Sequence, residues 1–402
     1  MPISFQPSEE QQLVQDTARK LADERLWPQM RETEKARALS DAVKKEAHEL
    51  GLTAVALPES AGGAGLGLVT ACLVEEELAR GDAAACWALG GAGTLGSFVL
   101  ELGTVEQHNE LLARFTKASA VDVRGAVAWS EAKPANREGF AATAARSGDN
   151  WIIDAEKAFV VNGGAADLYV VVAQTNGNAG WKGLDAFAVE ASAKGVKPGP
   201  RRKLLGLDAA IVADVTFDTV RVPESARLAA GGDVPSALAR AFARHALISA
   251  ARAVGLAGRA WQLTRDYTAE RKAFGKPIGH FQAVAFNVAD RLMDVESARW
   301  LVWKAAAGWD HDGKPRLSDV AAAGAHALEV VMRCTDDAVQ LHGGAGFIRD
   351  YAVEKLFRDA RQLTLMGPSV AALDQMLADQ ALGRPIDPGA ILPTPDVQPV
   401  CI

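Results

Sequence analysis

The spacing of hydrophobic and polar positions divides the chain into three regions, of which the first is helical. In this region, predicted as residues 1–122, apolar side chains recur at the 3.6-residue period of a helix. Ser8 and Gln11 have the spacing of a capping box at the start of the first helix. Residues 66–80 predict another amphipathic helix, and we expect its three consecutive glutamates, 75–77, to form a solvated face.

Short β-rich runs replace the helical period in the second region, predicted as residues 123–230. Residues 168–173, 186–190 and 212–217 are apolar runs bounded by Gly, Asn, Asp and Lys. The Gly-Asp-Asn triplet at 148–150 has the composition of a hairpin turn. Several short strands with turn signals predict a compact β domain, a barrel or a sandwich.

The helical period returns in the third region, predicted as residues 231–387. Its long alanine-rich segments are residues 238–270, 281–309, 318–341 and 369–382. Five prolines in residues 385–402 predict an extended tail, which we place at 388–402. Helices, then strands, then helices indicate an α+β protein. No Gly-x-Gly-x-x-Gly follows a strand, so a Rossmann cofactor site is not supported.

Composition and charge narrow the class of protein. A chain of 402 residues with 49% hydrophobic and 23% charged residues is typical of an ordinary multidomain globular protein. The net charge of −7 argues against a nucleic-acid or anionic-membrane surface. The four cysteines and seven histidines show no metal-ligand spacing, so we predict no metal. We expect a cytoplasmic protein, because we find neither a secretory signal nor an apolar run of the roughly 18–20 residues that span a bilayer.

The stretch at residues 267–282 carries the most specific candidate chemistry. Arg271 offers a planar fork that suits phosphate oxygens, and Gly275 lets the backbone turn tightly beside a ligand. A helix that ends in a basic cap before a Gly/Pro loop explains the same residues without a ligand.

A second candidate stretch covers residues 337–361. Gly343 and Gly344 break a helix beside the polar Gln340 and His342, which allows close approach to a flat or phosphorylated ligand. An interhelical turn explains this stretch nearly as well.

Together these two stretches resemble the acyl-CoA dehydrogenase family, and the resemblance extends over residues 8–385. The other matching segments are LPESAGGAGLG (57–67), AWSEAKPAN (128–136), KAFVVNGGAADLYVVVA (157–173) and LLGLDAAIVADVTFDTVRVPES (204–225). The resemblance implies an N-terminal helical domain, a middle β domain and a C-terminal four-helix bundle.

The resemblance also implies FAD between the middle and last domains, completed by a neighbouring subunit. Arg271 and Gln340 would contact the FAD pyrophosphate, and Phe274 and Gln282 the adenosine side. Ser130 takes the position that hydrogen-bonds the flavin. The remaining cofactor candidates are Phe159, which would pack on the flavin ring, and Asn136, Gly343, Gly344 and Ser369.

This sequence departs from the family pattern at the positions of the catalytic base. The usual base is a glutamate, and an ungapped count from the Arg-Asp-Ala at 358–360 puts Gly367 at that position. Some members carry the base on the helix before the Arg-Lys pair, where this chain has His245. The arginine that usually follows is Ala246, while Arg244, a candidate substrate contact, lies one step before. His245 is either a substitute base or a buried structural histidine.

Two further departures are near the expected flavin. The hydroxyl residue that usually bonds near flavin N5 is Val161, and the usual loop over the flavin is replaced by residues 131–137. The backbone N–H of Gly367 is kept and could still polarise a thioester carbonyl. Trp87, Trp129 and Phe242 are candidates to narrow the acyl pocket.

Three functions fit the resemblance and its departures. The first is an acyl-CoA dehydrogenase with a non-standard or missing base. The second is a catalytically incomplete subunit of a heteromeric dehydrogenase whose partner carries the glutamate. The third is another flavin reaction on this scaffold, β-elimination (desulfination) or monooxygenation. The expected partners are an acyl-CoA, further subunits in a homodimer, homotetramer or heteromer, and an electron-transferring flavoprotein.

Overall fold

The computed structural model describes residues 6–131, 140–177, 179–228 and 232–393, and its first part is helical. The predicted capping box is confirmed: the Gln11 N–H donates to Ser8 Oγ at 3.2 Å, and the Ser8 N–H donates to Gln11 Oε1 at 2.9 Å. The helices before the sheet are α1 (Glu9–Leu21), α2 (Trp27–Ala36), α3 (Asp41–Glu49), α4 (Leu68–Asp82), α5 (Ala85–Ala88), α6 (Gly93–Leu102) and α7 (Val105–Leu112).

A seven-stranded sheet forms the middle of the chain. Its strands are β1 (Gly125–Ala128), β2 (Thr143–Ser147), β3 (Asn150–Val161), β4 (Leu168–Gln174), β5 (Leu184–Glu190), β6 (Val196–Pro198) and β7 (Val212–Pro223). The strand order is β1-β4-β2-β3-β7-β6, with β5 also paired to β4. Ser147 pairs with Asn150, so the hairpin predicted at 148–150 is confirmed.

Long helices form the last part of the chain. They are α8 (Val234–Glu270), α9 (Gln282–Asp312), α10 (Leu317–Leu341), α11 (Val353–Leu363) and α12 (Val370–Ala381), with a two-stranded ribbon of β8 (Lys272–Ala273) and β9 (Lys276–Pro277) between α8 and α9. α8 is 37 residues long, and ten of the residues that it buries are alanines, which lets other helices approach its backbone closely. Within the described ranges, no helix has both the length and the apolar content needed to cross a bilayer.

One hydrophobic core joins all three parts. It contains residues of α4, of α8 and of one face of the sheet, while a second core fills the other face. The segment predicted as an extended tail begins with a 3-10 turn, Pro388–Ile391, in which Ile391 is fully buried. The domain boundaries proposed from the sequence stay predictions.

The prediction of a solvated glutamate face on α4 is wrong. Glu76 and Glu77 are both buried. Arg299 Nε lies 2.7 Å from Glu76 Oε1, and Arg19 Nη2 lies 2.7 Å from Glu77 Oε1. Arginines of α9 and α1 therefore compensate the desolvation of these carboxylates.

Candidate functional site

α8 carries the centre of the candidate site on one face. His245, Ser249 and Arg252 are four and then three residues apart, so their side chains lie along the same side of the helix. His245 is buried, and its Nε2 lies 2.5 Å from the carbonyl oxygen of Met366. A carbonyl oxygen only accepts, so Nε2 donates in this hydrogen bond.

Gly367 lies directly against the ring of His245. A Cβ atom at Gly367 would be 3.5 Å from His245 Nε2 and 3.9 Å from Ser249 Oγ. The structure therefore brings together the two positions at which the resemblance places a base. Among the described residues, no acceptor takes the Gly367 N–H.

Burial sets the protonation state of His245. Desolvation lowers the pKa of the imidazole to about 4, against a raising effect of the hydrogen bond to Met366 and a further lowering effect of the Arg252 charge. At neutral pH the ring is therefore uncharged.

Arg244, the candidate substrate contact, is already engaged. Its Nε and Nη2 donate to Glu101 Oε1 at 2.9 and 2.7 Å, and its guanidinium lies 4.8 Å from the centre of the Trp309 ring. Arg244 is therefore already paired, although it shares Glu101 with Arg240, whose Nε lies 3.1 Å from Glu101 Oε2.

Ser130 directly follows a tryptophan that packs against α8. Its neighbour Trp129 packs edge-on against Phe242, with ring centroids 4.7 Å apart, and Phe242 is about one helical turn before His245. Ser130 is buried, and its carbonyl accepts the Ala158 N–H at 2.8 Å.

Phe159 sits on an irregular part of β3. It has a φ of +55°, where the register of β3 against β7 shifts, and its N–H donates to Asp214 Oδ1 at 3.0 Å. The guanidinium of Arg202 lies 4.3 Å from the centre of its ring. Phe159 is thus held in a left-handed backbone conformation that is strained for a residue other than glycine.

Asn136 lies outside the described residues. On either side of residues 132–139, the chain makes buried polar contacts through Glu131. Lys157 Nζ lies 2.8 Å from Glu131 Oε1, and both side chains are buried. Glu131 also accepts the backbone N–H groups of Ala141 and Ala142.

The remaining cofactor candidates lie at the far end of the bundle. The Tyr267 ring stacks on His342 with centroids 4.2 Å apart, so the ends of α8 and α10 meet. The residues around this contact are exposed, namely Arg271, Phe274, Gln282, Gln340, Gly343 and Gly344. Phe274 is 95% exposed.

Ser369 is the candidate whose hydroxyl has a local structural role. Its Oγ accepts the Ala372 N–H at 3.2 Å and caps α12.

Two cavities, of about 60 and 90 Å³, adjoin this site. Thr53, Glu75 and Arg252 line both of them, while His245 lines the larger and Val161 the smaller. Trp87 lines the smaller cavity, as expected for a residue that narrows a pocket. Trp129 and Phe242 do not line either cavity and pack against each other instead.

Thr53 and Arg252 were missed by sequence reasoning. For Arg252 a signal existed, because it is one of two arginines, with Arg259, that interrupt the alanine-rich, buried surface of α8. A buried charge on such a face needs a partner or a ligand. No group of three or more potential metal ligands is found in the described part of the chain.

Models of three domains match nearly the whole chain. The acyl-CoA dehydrogenase N-terminal domain matches residues 8–119, the middle domain 126–220 and the C-terminal domain 236–379.

Similar proteins cover nearly the whole chain as well. A relative named probable acyl-CoA dehydrogenase FadE25, of Mycobacterium tuberculosis, is 33% identical over 94% of this chain and 97% of its own. The benzylmalonyl-CoA dehydrogenase of Aromatoleum aromaticum is 33% identical over 91% of this chain and 96% of its own. The structure of butyryl-CoA dehydrogenase from Megasphaera elsdenii superimposes with a TM-score of 0.87, at 28% identity, over 94% of this chain and 100% of that one.

Proposed function

Because this chain belongs to the acyl-CoA dehydrogenase family, we propose that it is a FAD-dependent oxidoreductase acting on an acyl-CoA thioester. The observation that carries the proposal is the contact of Gly367 with His245, which lines the larger cavity, together with a Gly367 N–H that meets no backbone acceptor among the described residues. Such an N–H is suited to polarise a thioester carbonyl.

The donor set at the far end of the bundle fits the phosphates of FAD. Arg271 is exposed, and a Cβ atom added at Gly343 or Gly344 would meet nothing within 4 Å. The backbone there is open to close approach by a phosphate, which an arginine fork binds well. Phe274 offers an exposed aromatic face for the adenosine side.

The length of α8 favours a cofactor shared between two copies of the chain. His245 is on α8 and Arg271 directly follows the last residue of that helix, so a rise of 1.5 Å per residue separates them by about 39 Å. One FAD that touched both Arg271 and Ser130, whose neighbour Trp129 packs on Phe242 of α8, would have to span most of that distance. We therefore propose that Arg271 and Gln340 of one copy complete the site of another, in a homodimer or homotetramer.

The chemistry of the site depends on what replaces the missing glutamate. When bound, FAD supplies the acceptor for the hydride that leaves the β-carbon. Glu75 is the carboxylate that lines both cavities, and both its oxygens are held by Arg252, at 2.7 and 2.9 Å. It is therefore a poor candidate for the base.

We propose that Nδ1 of His245 accepts the α-proton of the acyl-CoA. A pKa of about 4 makes its neutral ring about as basic as an ordinary glutamate carboxylate, whose pKa is about 4.3. Nε2–H stays bonded to Met366, and that bond strengthens as the ring gains charge. Gly367 meanwhile holds the carbonyl oxygen.

Anaerobic titration of the purified protein with a panel of acyl-CoA esters tests this proposal. We expect a yellow protein whose flavin absorbance bleaches with at least one ester, and an electron-transferring flavoprotein as the acceptor that restores it. A colourless chain that gains flavin only when co-expressed with a related subunit would favour the heteromeric function. Oxygen consumption, or product formation with no acceptor, would favour another flavin reaction.

The cytoplasmic location stays a prediction.

A further inference from the structure

The inner end of the two cavities is polar, although an acyl pocket is ordinarily apolar. Building on the proposed function, we propose that the acyl group carries a neutral oxygen, a hydroxyl or a ketone, near its far end. Arg252, Trp87 and Thr53 would bind that oxygen.

Arg252 has one side of its guanidinium committed and the other side open. The residue is 3% exposed. Its Nε and Nη2 donate to the two oxygens of Glu75, while Nη1 is buried and meets no acceptor in the described part of the chain. Since Arg252 lines both cavities, the open N–H groups are at their walls.

Two neighbouring side chains add further unused polar atoms. The guanidinium of Arg252 lies 4.2 Å from the centre of the Trp87 ring. Trp87 Nε1 and Thr53 Oγ1 are both buried without a partner among the described residues. In the smaller cavity Asn162 Oδ1 is also unpartnered, and a hydroxyl group could donate to it. Buried polar atoms are nearly always hydrogen-bonded in folded proteins, so several together indicate a ligand or ordered water.

The position of these atoms matches the far end of a short acyl group. Arg252 lies two turns beyond His245 on the same face of α8, about 10 Å along the axis. Cavities of about 60 and 90 Å³ hold only a few water molecules, at about 30 Å³ each. His245 and Arg252 line the same cavity, so a short chain that enters it beside His245 reaches Arg252, and a hydrocarbon end there would leave the donors of Arg252 unpaired at a cost in affinity.

The local charges favour a neutral oxygen over a carboxylate. Glu75 pairs with Arg252 at 2.7 Å, so the arginine that lines both cavities is matched by a carboxylate, while Glu101 is shared by Arg244 and Arg240. His245 is uncharged at neutral pH. A substrate carboxylate placed beside Arg252 would approach Glu75, and Arg252 is the one cation among the described residues that line the smaller cavity.

Isothermal titration calorimetry of the FAD-loaded protein with three CoA esters of equal chain length tests the proposal. The probes are hexanoyl-CoA, 5-oxohexanoyl-CoA and 5-hydroxyhexanoyl-CoA, with adipoyl-CoA as the charged comparison and free CoA as the reference. We expect at least one neutral oxygenated ester to bind about tenfold more tightly than hexanoyl-CoA. If hexanoyl-CoA binds as tightly as both neutral oxygenated esters or more tightly, the polar atoms hold only water and the inference is overturned. If adipoyl-CoA binds most tightly of all, the inference is overturned as well. If no ester binds more tightly than free CoA, the proposed function itself fails.

Conservative variants identify the atoms involved. Arg252→Leu would leave Glu75 unpaired and risks misfolding, so Trp87→Phe and Thr53→Val are the variants of choice. Each removes a donor with little change of shape, and we expect each to reduce the preference for the oxygenated ester at least threefold. Trp303→Phe is the matched control, because Trp303 Nε1 is also buried and unpartnered but lies on α9, away from both cavities. If Trp87→Phe and Thr53→Val change the preference for the oxygenated ester no more than Trp303→Phe does, the assignment of these atoms is wrong.

Discussion

The imidazole Nε2 of His245 lies 2.5 Å from the carbonyl oxygen of Met366, the residue that precedes Gly367. This hydrogen bond fixes the ring against Gly367, the position at which the sequence resemblance places the usual glutamate of the family. It also settles which ring nitrogen is the donor, since the carbonyl can only accept. Gly367 and His245, the two positions at which the resemblance places a base, are thus in direct contact.

Acid pH should destabilise the fold through His245. Its pKa is about 4 in the folded chain and about 6.5 when exposed, so between these values the unfolded chain binds a proton that the folded chain does not. The contribution to stability is complete above pH 6.5 and is lost as the pH falls towards 4. We expect about 2 kcal/mol of this loss between pH 7.5 and 5.0. His245→Gln keeps an N–H donor but does not titrate, so urea unfolding of both proteins at the two pH values isolates the effect. If the unaltered protein and His245→Gln differ in unfolding free energy by the same amount at pH 7.5 and at pH 5.0, the prediction is contradicted.

A glutamate at Gly367 should replace His245 as the base. His245→Gln is expected to slow flavin reduction by acyl-CoA about 10²- to 10⁴-fold, the usual effect of losing a general base. A Cβ atom at Gly367 would make only ordinary contacts, so the site has room for a side chain to start there. In the His245→Gln background, Gly367→Glu should recover a large part of the rate, measured by anaerobic stopped-flow absorbance.

Gly367→Gln in the same background is the control, because it has the same size without the carboxylate. If the Glu and Gln variants reduce flavin at the same rate, the missing acid is not what limits the chain. If His245→Gln alone has the rate of the unaltered protein, His245 is not the base.

The ion pair between Lys157 and Glu131 should be costly to break. Both side chains are buried, and burial lowers the pKa of Lys157 although Glu131 stands beside it. Lys157→Met would leave Glu131 charged and unpaired, at about 3–5 kcal/mol in unfolding free energy by urea titration. The exposed pair of Lys197 and Asp218 is the comparison, and Lys197→Met should cost less than about 1 kcal/mol.

The double variant separates the ion pair from other effects of Lys157. Lys157→Met with Glu131→Gln removes both charges, so it should be more stable than Lys157→Met alone. Equal losses for Lys157→Met and Lys197→Met would show that the buried pair contributes no more than a surface pair.

Local patterns in the sequence predicted local structure well. The Ser8–Gln11 capping box and the turn at Gly148 depend on residues within four positions of each other, and both are confirmed. Hydrophobic periodicity likewise placed α8, which begins at Val234 where the sequence predicted a start at 238.

The electrostatic partners could not be predicted in the same way. A run of glutamates is usually solvated, and only contacts across the fold, to Arg299 for Glu76 and to Arg19 for Glu77, allow these two to be buried. His245 and Gly367 were both identified by counting against a family pattern, but their contact is tertiary. Arg252 was the residue whose local setting, a charge between alanines on a largely apolar helix, could have revealed it.

Assembly of the chain should depend on the apolar face of α9. Phe286, Met293 and Trp300 are seven residues apart, so they share one side of the helix, and they are 61%, 62% and 42% exposed. A stripe of this kind ordinarily packs against another chain. We expect Phe286→Asp with Met293→Asp to reduce the oligomer to a monomer in light scattering and to release FAD, because Arg271 of the second copy is then lost from the site. Leu13→Asp is the control, since Leu13 is also exposed, at 69%, but belongs to α1. An oligomer that keeps its mass and its yellow colour in the α9 variant would exclude this face as the interface, and a monomer that keeps its FAD would exclude a cofactor site shared between copies.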